Sequence, residues 1–226
     1  MPLQRLPNWI QLGAFFLALN AGMVNVLGLF TVSHQSVSHM TGNVSILAMS
    51  LLDWQPEHFI YLSLVILCFI TGSFYSGLIL GNGNLAFGRR YGLPLSLVAI
   101  FLFLTWLLLP YFPRYGLLWA CVAMGVQNAM VSHYKGAIIR TTHLSGVLTD
   151  IGLALGYKAR GLHVEKRRIF LHLLIFIGFL LGGLIASALY PYLKLNSFLI
   201  PAGLSLGMSM TYWIFYFGSS SNSHLD

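Results

Sequence analysis

Apolar residues gather along this chain into six stretches of membrane-crossing length, near Trp9–Phe30, His58–Leu80, Leu93–Tyr111, Tyr115–Ser132, Ile169–Tyr190 and Phe198–Phe217. A hydrocarbon core of about 30 Å takes ~20 helical residues to cross. Pro110, Pro113 and Pro191 fall at ends of these stretches with Trp, Tyr and Phe side chains, as turn residues and interfacial anchors do. Two further apolar pieces, Val44–Leu52 and Val147–Tyr157, are too short. A helix of ~12 residues covers about 18 Å, half a bilayer. Each is either a half-helix that dips in and returns, or a span whose polar N-terminal part is hidden in the bundle.

The two short pieces follow a duplicated motif. Ser38-His39-Met40-Thr41-Gly42-Asn43 precedes the first, and Thr142-His143-Leu144-Ser145-Gly146 precedes the second. Upstream of each lies a glycine and an amide in an apolar stretch, Gly22 with Asn25 and Gly125 with Asn128. Gly22 to Gly125 and Asn25 to Asn128 are each 103 positions, while His39 to His143 and Gly42 to Gly146 are each 104. One inserted residue over that span is what a duplicated unit shows. The repeat divides the chain into 1–112 and 113–218, leaving 219–226 as a disordered tail.

Charge sorts the alternatives for the short pieces. If neither crosses, one side holds ten basic residues, from Arg5 and Arg89 to Lys166, Arg167 and Arg168, and the other holds Arg114 and Lys194. If both cross, the split is seven to five. The first division obeys the positive-inside rule and the second barely does. The expectation is therefore an all-α polytopic membrane protein of six spans plus two short broken elements, both termini cytoplasmic. Seven or eight spans is the alternative. Three spans per half is an odd number, so the second half enters from the opposite face, giving a 3+3 inverted repeat.

Composition agrees. Of the 226 residues, 57% are hydrophobic and 8% charged, with a mean hydropathy of +0.78. A soluble domain carries roughly a quarter charged residues. The net charge of +7 then reflects cytoplasmic loops, and nucleic acid is not an expected partner. The apolar run after Arg5 is too long for a signal-peptide core, so it reads as a retained first helix. Cys68 and Cys121 sit mid-stretch and read as small buried hydrophobes.

The candidate chemistry lies at the motif. Residues 31–41 in extended form reach ~30 Å, enough to descend to mid-bilayer. Thr41 or Asn43, and Ser145, suit the N-cap positions of the half-helices, while Gly42 and Gly146 suit close backbone approach. A half-helix N-terminus offers unpaired N–H groups and about half a positive charge, which favours an anion or a polar neutral solute. His39 and His143 add donors and can carry a proton. Asp150, whose counterpart in the first half is Ile46, is either a coupling carboxylate or the partner of Arg140 or a nearby lysine. Asn25, Gln127 and Asn128 are amides in apolar spans, where interhelical hydrogen bonding is the commonest role and cavity lining the second. Arg140, three residues before His143, either reaches inward to an anion or snorkels to the interface.

The pathway expected from these residues is Asn25, His39, Thr41, Gly42, Asn43, Asn128, Arg140, His143, Ser145, Gly146 and Asp150. No cofactor or metal is expected, since the two histidines have no third ligand at helical spacing. An enzyme is not expected either, for the chain has no His-Glu-Xaa-Xaa-His, no Gly-Xaa-Ser-Xaa-Gly and five acidic residues. The bland reading is that the duplicated motif only holds two broken helices together. Membrane lipid and a small polar or anionic solute are the expected partners, and small size with Gly-rich faces suits a homodimer. Gly178-Xaa3-Gly182, Gly203-Xaa3-Gly207 and Gly152-Xaa3-Gly156 fit close helix packing, although 23 glycines produce such spacings easily.

The two motifs, with Met124-Gly125-Val126-Gln127-Asn128-Ala129 and Arg140 through Gly152, resemble the YoaK-like bacterial inner-membrane proteins, a family of unknown function. The resemblance runs over nearly the whole chain. It implies a small multi-spanning protein of the bacterial inner membrane, sometimes called a permease, and no substrate or binding residues. In that family the position of Asn25 is often acidic or an amide. A secondary transporter or permease is the functional expectation, with a channel or a structural or regulatory membrane protein as the alternative.

Overall fold

The computed structural model describes residues 8–31, 34, 36–81, 89–132 and 141–222. The helices are α1 (Asn8–Phe30), α2 (Met40–Leu52), α3 (Pro56–Leu80), α4 (Arg89–Leu108), α5 (Pro113–Ser132), α6 (Leu144–Ala159), α7 (Lys166–Leu193) and α8 (Leu199–Asn222), with a 3-10 turn over Lys194–Phe198. No strand occurs among the described residues. Trp9–Phe30, Pro56–Leu80, Tyr91–Leu108 and the stretch Lys166–Gly218, which holds α7 and most of α8, are long and apolar enough to cross a membrane.

Side-chain placement fits lipid as the solvent. On α3 the large residues Ile60, Leu67, Ile70, Phe74 and Leu78 point outward, while Gly72 and Ser76 are buried. Water would penalise an apolar exterior of that extent, whereas in lipid small residues at the interface let helices approach closely. The chain is a membrane protein.

The boundaries depart from expectation at several places. α2 and α6 begin at Met40 and Leu144, so Thr41, Gly42, Asn43, Ser145 and Gly146 lie within the first helical turn. In the approach to α2, which the sequence reads as extended, residues 32, 33 and 35 lie outside the described residues; Thr31 N–H donates to Gly28 O at 3.2 Å and His34 N–H to Thr31 O at 3.0 Å. Pro191 lies in the last turn of α7, and the break comes at Lys194, whose φ is 49°. At the far end α8 continues through 219–222, which the sequence assigned to the tail, and 223–226 lie outside the described residues.

Two long pairs make the frame, α1 beside α7 and α3 beside α5. Glycine sets the spacing in both. A Cβ on Gly22 would lie 2.0 Å from Phe179 O, and one on Gly182 would lie 2.0 Å from Leu19 O. In the other pair, a Cβ on Gly125 would lie 2.1 Å from Phe69 O and one on Gly72 2.0 Å from Val122 O. These crossings correspond: Gly125 and Val122 are Gly22 and Leu19 plus 103, and Phe179 and Gly182 are Phe69 and Gly72 plus 110. Each half thus lays its first helix against the third helix of the other half through the same glycine contacts. Of the three weaker glycine spacings, Gly178 and Gly182 meet the α1 backbone, and the other two pairs face open space.

The buried core shows which way each helix runs. One cluster joins Ile10, Ala14 and Ala18 of α1 to Leu80 at the end of α3 and Met130 and Val131 at the end of α5. Val147 of α6 and Leu171 and Ile175 of α7 complete it. The second joins Ala21, Val24 and Leu27 of α1 to Tyr61 and Val65 early in α3, Leu117 early in α5 and Ala186 late in α7. Hence α1 runs antiparallel to α3 and α5 and parallel to α7. Cys121 is buried in the second cluster and Cys68 packs against it, both as free thiols.

Candidate functional site

Asn25 lies three residues after Gly22, less than one turn beyond the tight crossing of α1 and α7. Its Oδ1 accepts four hydrogen bonds: from Ser36 Oγ at 2.7 Å, Val37 N–H at 3.2 Å, and Ser38 N–H and Oγ, both at 3.3 Å. Ser36 Oγ in turn accepts from His39 N–H at 3.1 Å, and Asn43 Nδ2 donates to Ser36 O at 2.8 Å. Two amides, one from each helix, therefore fasten the turn that leads into α2. Asn43 is buried, because its side chain is used to close this turn.

The second copy is built alike at its key point. Thr142 Oγ1 donates to Asn128 Oδ1, as Ser38 does to Asn25. Position 147, equivalent to Asn43, is the buried Val147. Apolar packing there takes the place of the second amide. Histidine holds the N-cap in both copies, with φ/ψ of −100°/71° at His39 and −86°/65° at His143, and neither side chain makes a cap bond. Each histidine carbonyl instead accepts the first helical bond, from Asn43 N–H at 3.5 Å and Val147 N–H at 3.1 Å.

The N-cap expectation for Thr41, Asn43 and Ser145 is therefore corrected. All three are inside the helix, with Thr41 and Ser145 exposed. The expectation for Gly42 and Gly146 is corrected too, since nothing lies within 4 Å of a Cβ placed on either. His143 is exposed, and His39, Gly146 and Asp150 are half-buried. Arg140 lies outside the described residues.

Asp150 sits on α6 beside the start of α7. Its Oδ2 is 3.1 Å from Arg168 Nη2 and 3.4 Å from His172 Nε2. Arg168 and His172 are four residues apart on one face of α7, so a single carboxylate oxygen reaches both. Arg168 is half-exposed, and His172 is buried. A crevice of about 580 Å³ opens between α3, α4 and α5, lined by residues such as Thr71, Phe101 and Trp119. It is almost wholly apolar and includes none of the motif residues. Among the described residues, no three His, Cys, Asp or Glu side chains group as metal ligands.

A family model described as "Protein of unknown function (DUF1275)" matches residues 13–211. The chain belongs to that family. No curated protein and no solved structure is a match to it. For this family member the geometry has to carry the chemical reading.

The expected site residues fall into three groups. Asn25 and Asn43 fasten the first motif, Asn128 belongs with the second, and Asp150 pairs with α7. The motif loops sit toward opposite ends of the bundle, with Val37 in the cluster that holds Leu27 and Val147 in the one that holds Ile10. Sequence reasoning missed Asn20. Its Nδ2 donates to Gln127 Oε1 at 2.9 Å, and Gln127 Nε2 donates to Leu17 O at 2.9 Å. Asn20 Oδ1 is buried with no partner among the described residues. His172 was missed as well. A histidine amid an apolar run four residues after an arginine is the signal that marks it.

Proposed function

We propose that the protein is a secondary transporter or permease for a small polar or anionic solute. It would be built as two inverted repeats of three crossings each, every repeat holding one re-entrant half-helix. The observation that carries this reading is the matched pair of motif anchors, Asn25 with Ser38 and Asn128 with Thr142, held toward opposite ends of the bundle. The helix directions support it. α1 ends and α3 begins at one end of the bundle, and α5 ends and α7 begins at the other. A 13-residue α2 and a 16-residue α6 then link neighbours without having to cross. The end bearing Lys158, Arg160 and Lys166–Arg168 is assigned to the cytoplasm by the positive-inside rule. The bacterial inner membrane is the setting that the YoaK-like resemblance implies, and no enzymatic step belongs to this reading.

In this mechanism the first-turn N–H groups of α2 and α6 and the side chains of His39 and His143 supply donors to the solute. Asn25 and Asn128 hold those helix starts in place. A structural or regulatory membrane protein is the second reading, favoured by the apolar lining of the crevice and by the spending of the amides on internal bonds. The test is uptake by the full chain in liposomes of a labelled panel of monocarboxylates, phosphate, amino acids and sugars. Saturable uptake of one of them, lost in His39→Ala and His143→Ala variants that stay folded, supports transport. Absence of uptake across the panel favours the structural reading.

A further inference from the structure

Asp150, Arg168 and His172 form a cluster of opposite charges that the repeat does not share. Their counterparts in the first half, by the same offsets of 104 and 110, are Ile46, His58 and Leu62. Leu62 is fully buried, as His172 nearly is. Where the first half has a buried leucine and an apolar α2 position, the second has a histidine and a carboxylate that face one another. Burying an imidazole in an apolar setting has a cost, so such groups in membranes tend to mark function.

The geometry points to a proton site at His172, whose loading transfers Asp150 from Arg168 to His172. Both basic groups address the same atom, Asp150 Oδ2, at 3.1 Å and 3.4 Å. With His172 neutral, Arg168 has the only full positive charge of the pair, and it sits at the more exposed position. When His172 takes up a proton, a second cation appears one turn further along α7, where lower exposure strengthens the attraction to the carboxylate. Asp150 then follows the stronger field, and α6 is drawn along α7. The proton rests on His172 Nε2 and is shared with Asp150 Oδ2, and it leaves by the half-exposed side of Asp150.

Among the described residues, the charged and titratable neighbours are Glu165, Lys166 and Arg167 at the start of α7 and Tyr91 of α4, which packs against the same cluster. α1, which packs on this part of α7 through Ile10 and Ala14, has no titratable residue over Asn8–Phe30. The end of α5 contributes Met130 and Val131, and α6 contributes Val147 beside Asp150. Glu165, the N-cap of α7, is a second carboxylate near the helix start, and its Oε1 is buried with no partner among the described residues. Linking the proton to solute movement rests on the transporter reading, but the proton site does not, and its test needs no flux.

The full chain, with Cys68 and Cys121 replaced by alanine and spin labels at Leu155 of α6 and Leu173 of α7, is placed in lipid nanodiscs. The interspin distance is then followed from pH 8 to pH 5. A change with a single midpoint is expected, well under one helical pitch of ~5 Å because Asp150 Oδ2 already reaches both partners. His172→Gln and Asp150→Asn should each abolish the change. Arg168→Gln, which removes the partner that Asp150 leaves, should shrink the change and bring the pH 8 distance closer to the pH 5 one. A wild-type distance that does not vary with pH overturns the proposal. So does a transition retained in His172→Gln, or one of full amplitude in Arg168→Gln.

Discussion

Ser38 gives Asn25 both its hydroxyl and its backbone N–H, each at 3.3 Å, so one amide oxygen thirteen residues upstream fixes where α2 begins. All four bonds at Asn25 use Oδ1 as acceptor, which separates two substitutions that look equally drastic. Asn25→Leu leaves the donors of Ser36, Val37 and Ser38 without their acceptor and should cost about 2–4 kcal/mol. Asn25→Asp keeps the acceptor and adds charge to it, so it should remain within ~1 kcal/mol of wild type. Reversible unfolding in detergent checks this. Equal losses for the two variants would mean that the amide nitrogen matters and the acceptor account is wrong.

The glycines divide in the same manner. Alanine at Gly22, Gly125, Gly72 or Gly182 drives a methyl into a backbone carbonyl 2.0–2.1 Å away, which only separation of the two helices relieves. A loss of about 1–3 kcal/mol or more is expected for each. Gly42→Ala and Gly146→Ala meet nothing and should be neutral or stabilise by up to ~1 kcal/mol through helix propensity. Thermal melting of the six variants side by side is the measurement. A Gly42→Ala protein as unstable as Gly22→Ala would require a contact at Gly42 that the helix start does not have.

How legible this molecule was follows from where each partner sits. The long helices were readable because membrane length and hydropathy are local properties, and the duplicated motif was readable because its spacing is. The start of α2 was not. Thr41, Gly42 and Asn43 are weak helix formers, and they are helical because Asn25 and Ser36 hold the turn before them. Gly22 and Gly125 stood in the repeated signature, but a glycine does not say which backbone it meets, and Phe179 and Phe69 are distant in sequence. Asp150 was recognisable as unusual, while its choice of Arg168 and His172 needed the packing of α6 on α7.

At the buried link between α1 and α5, Asn20 and Gln127 share one hydrogen bond and Gln127 spends its nitrogen on Leu17 O. Removing either amide strands the other in an apolar setting. Asn20→Leu and Gln127→Leu should each cost about 1–3 kcal/mol, and the double variant should cost clearly less than their sum. A coupling of ~0.6–2 kcal/mol is expected from the cycle. Strict additivity would show that the pair does not interact in the membrane.

Single-cysteine labelling tests the architecture itself. α1 runs antiparallel to α3, so both ends of α2 belong to one end of the bundle, and the same logic puts both ends of α6 at the other. In a Cys68→Ala, Cys121→Ala background, cysteines at His39 and Trp54 should react with an impermeant maleimide from one face of right-side-out vesicles. Cysteines at Ser145 and Arg160 should react only from the opposite face. Trp54 is 90% exposed and ends α2 at a turn with φ 49°, so it reports without disturbing the core. If Trp54 and His39 label from opposite faces, α2 crosses, the repeats are parallel, and the half-helix pathway is lost. If they label together while Ser145 and Arg160 do so from the other side, the inverted arrangement gains the support that the search for a solute requires.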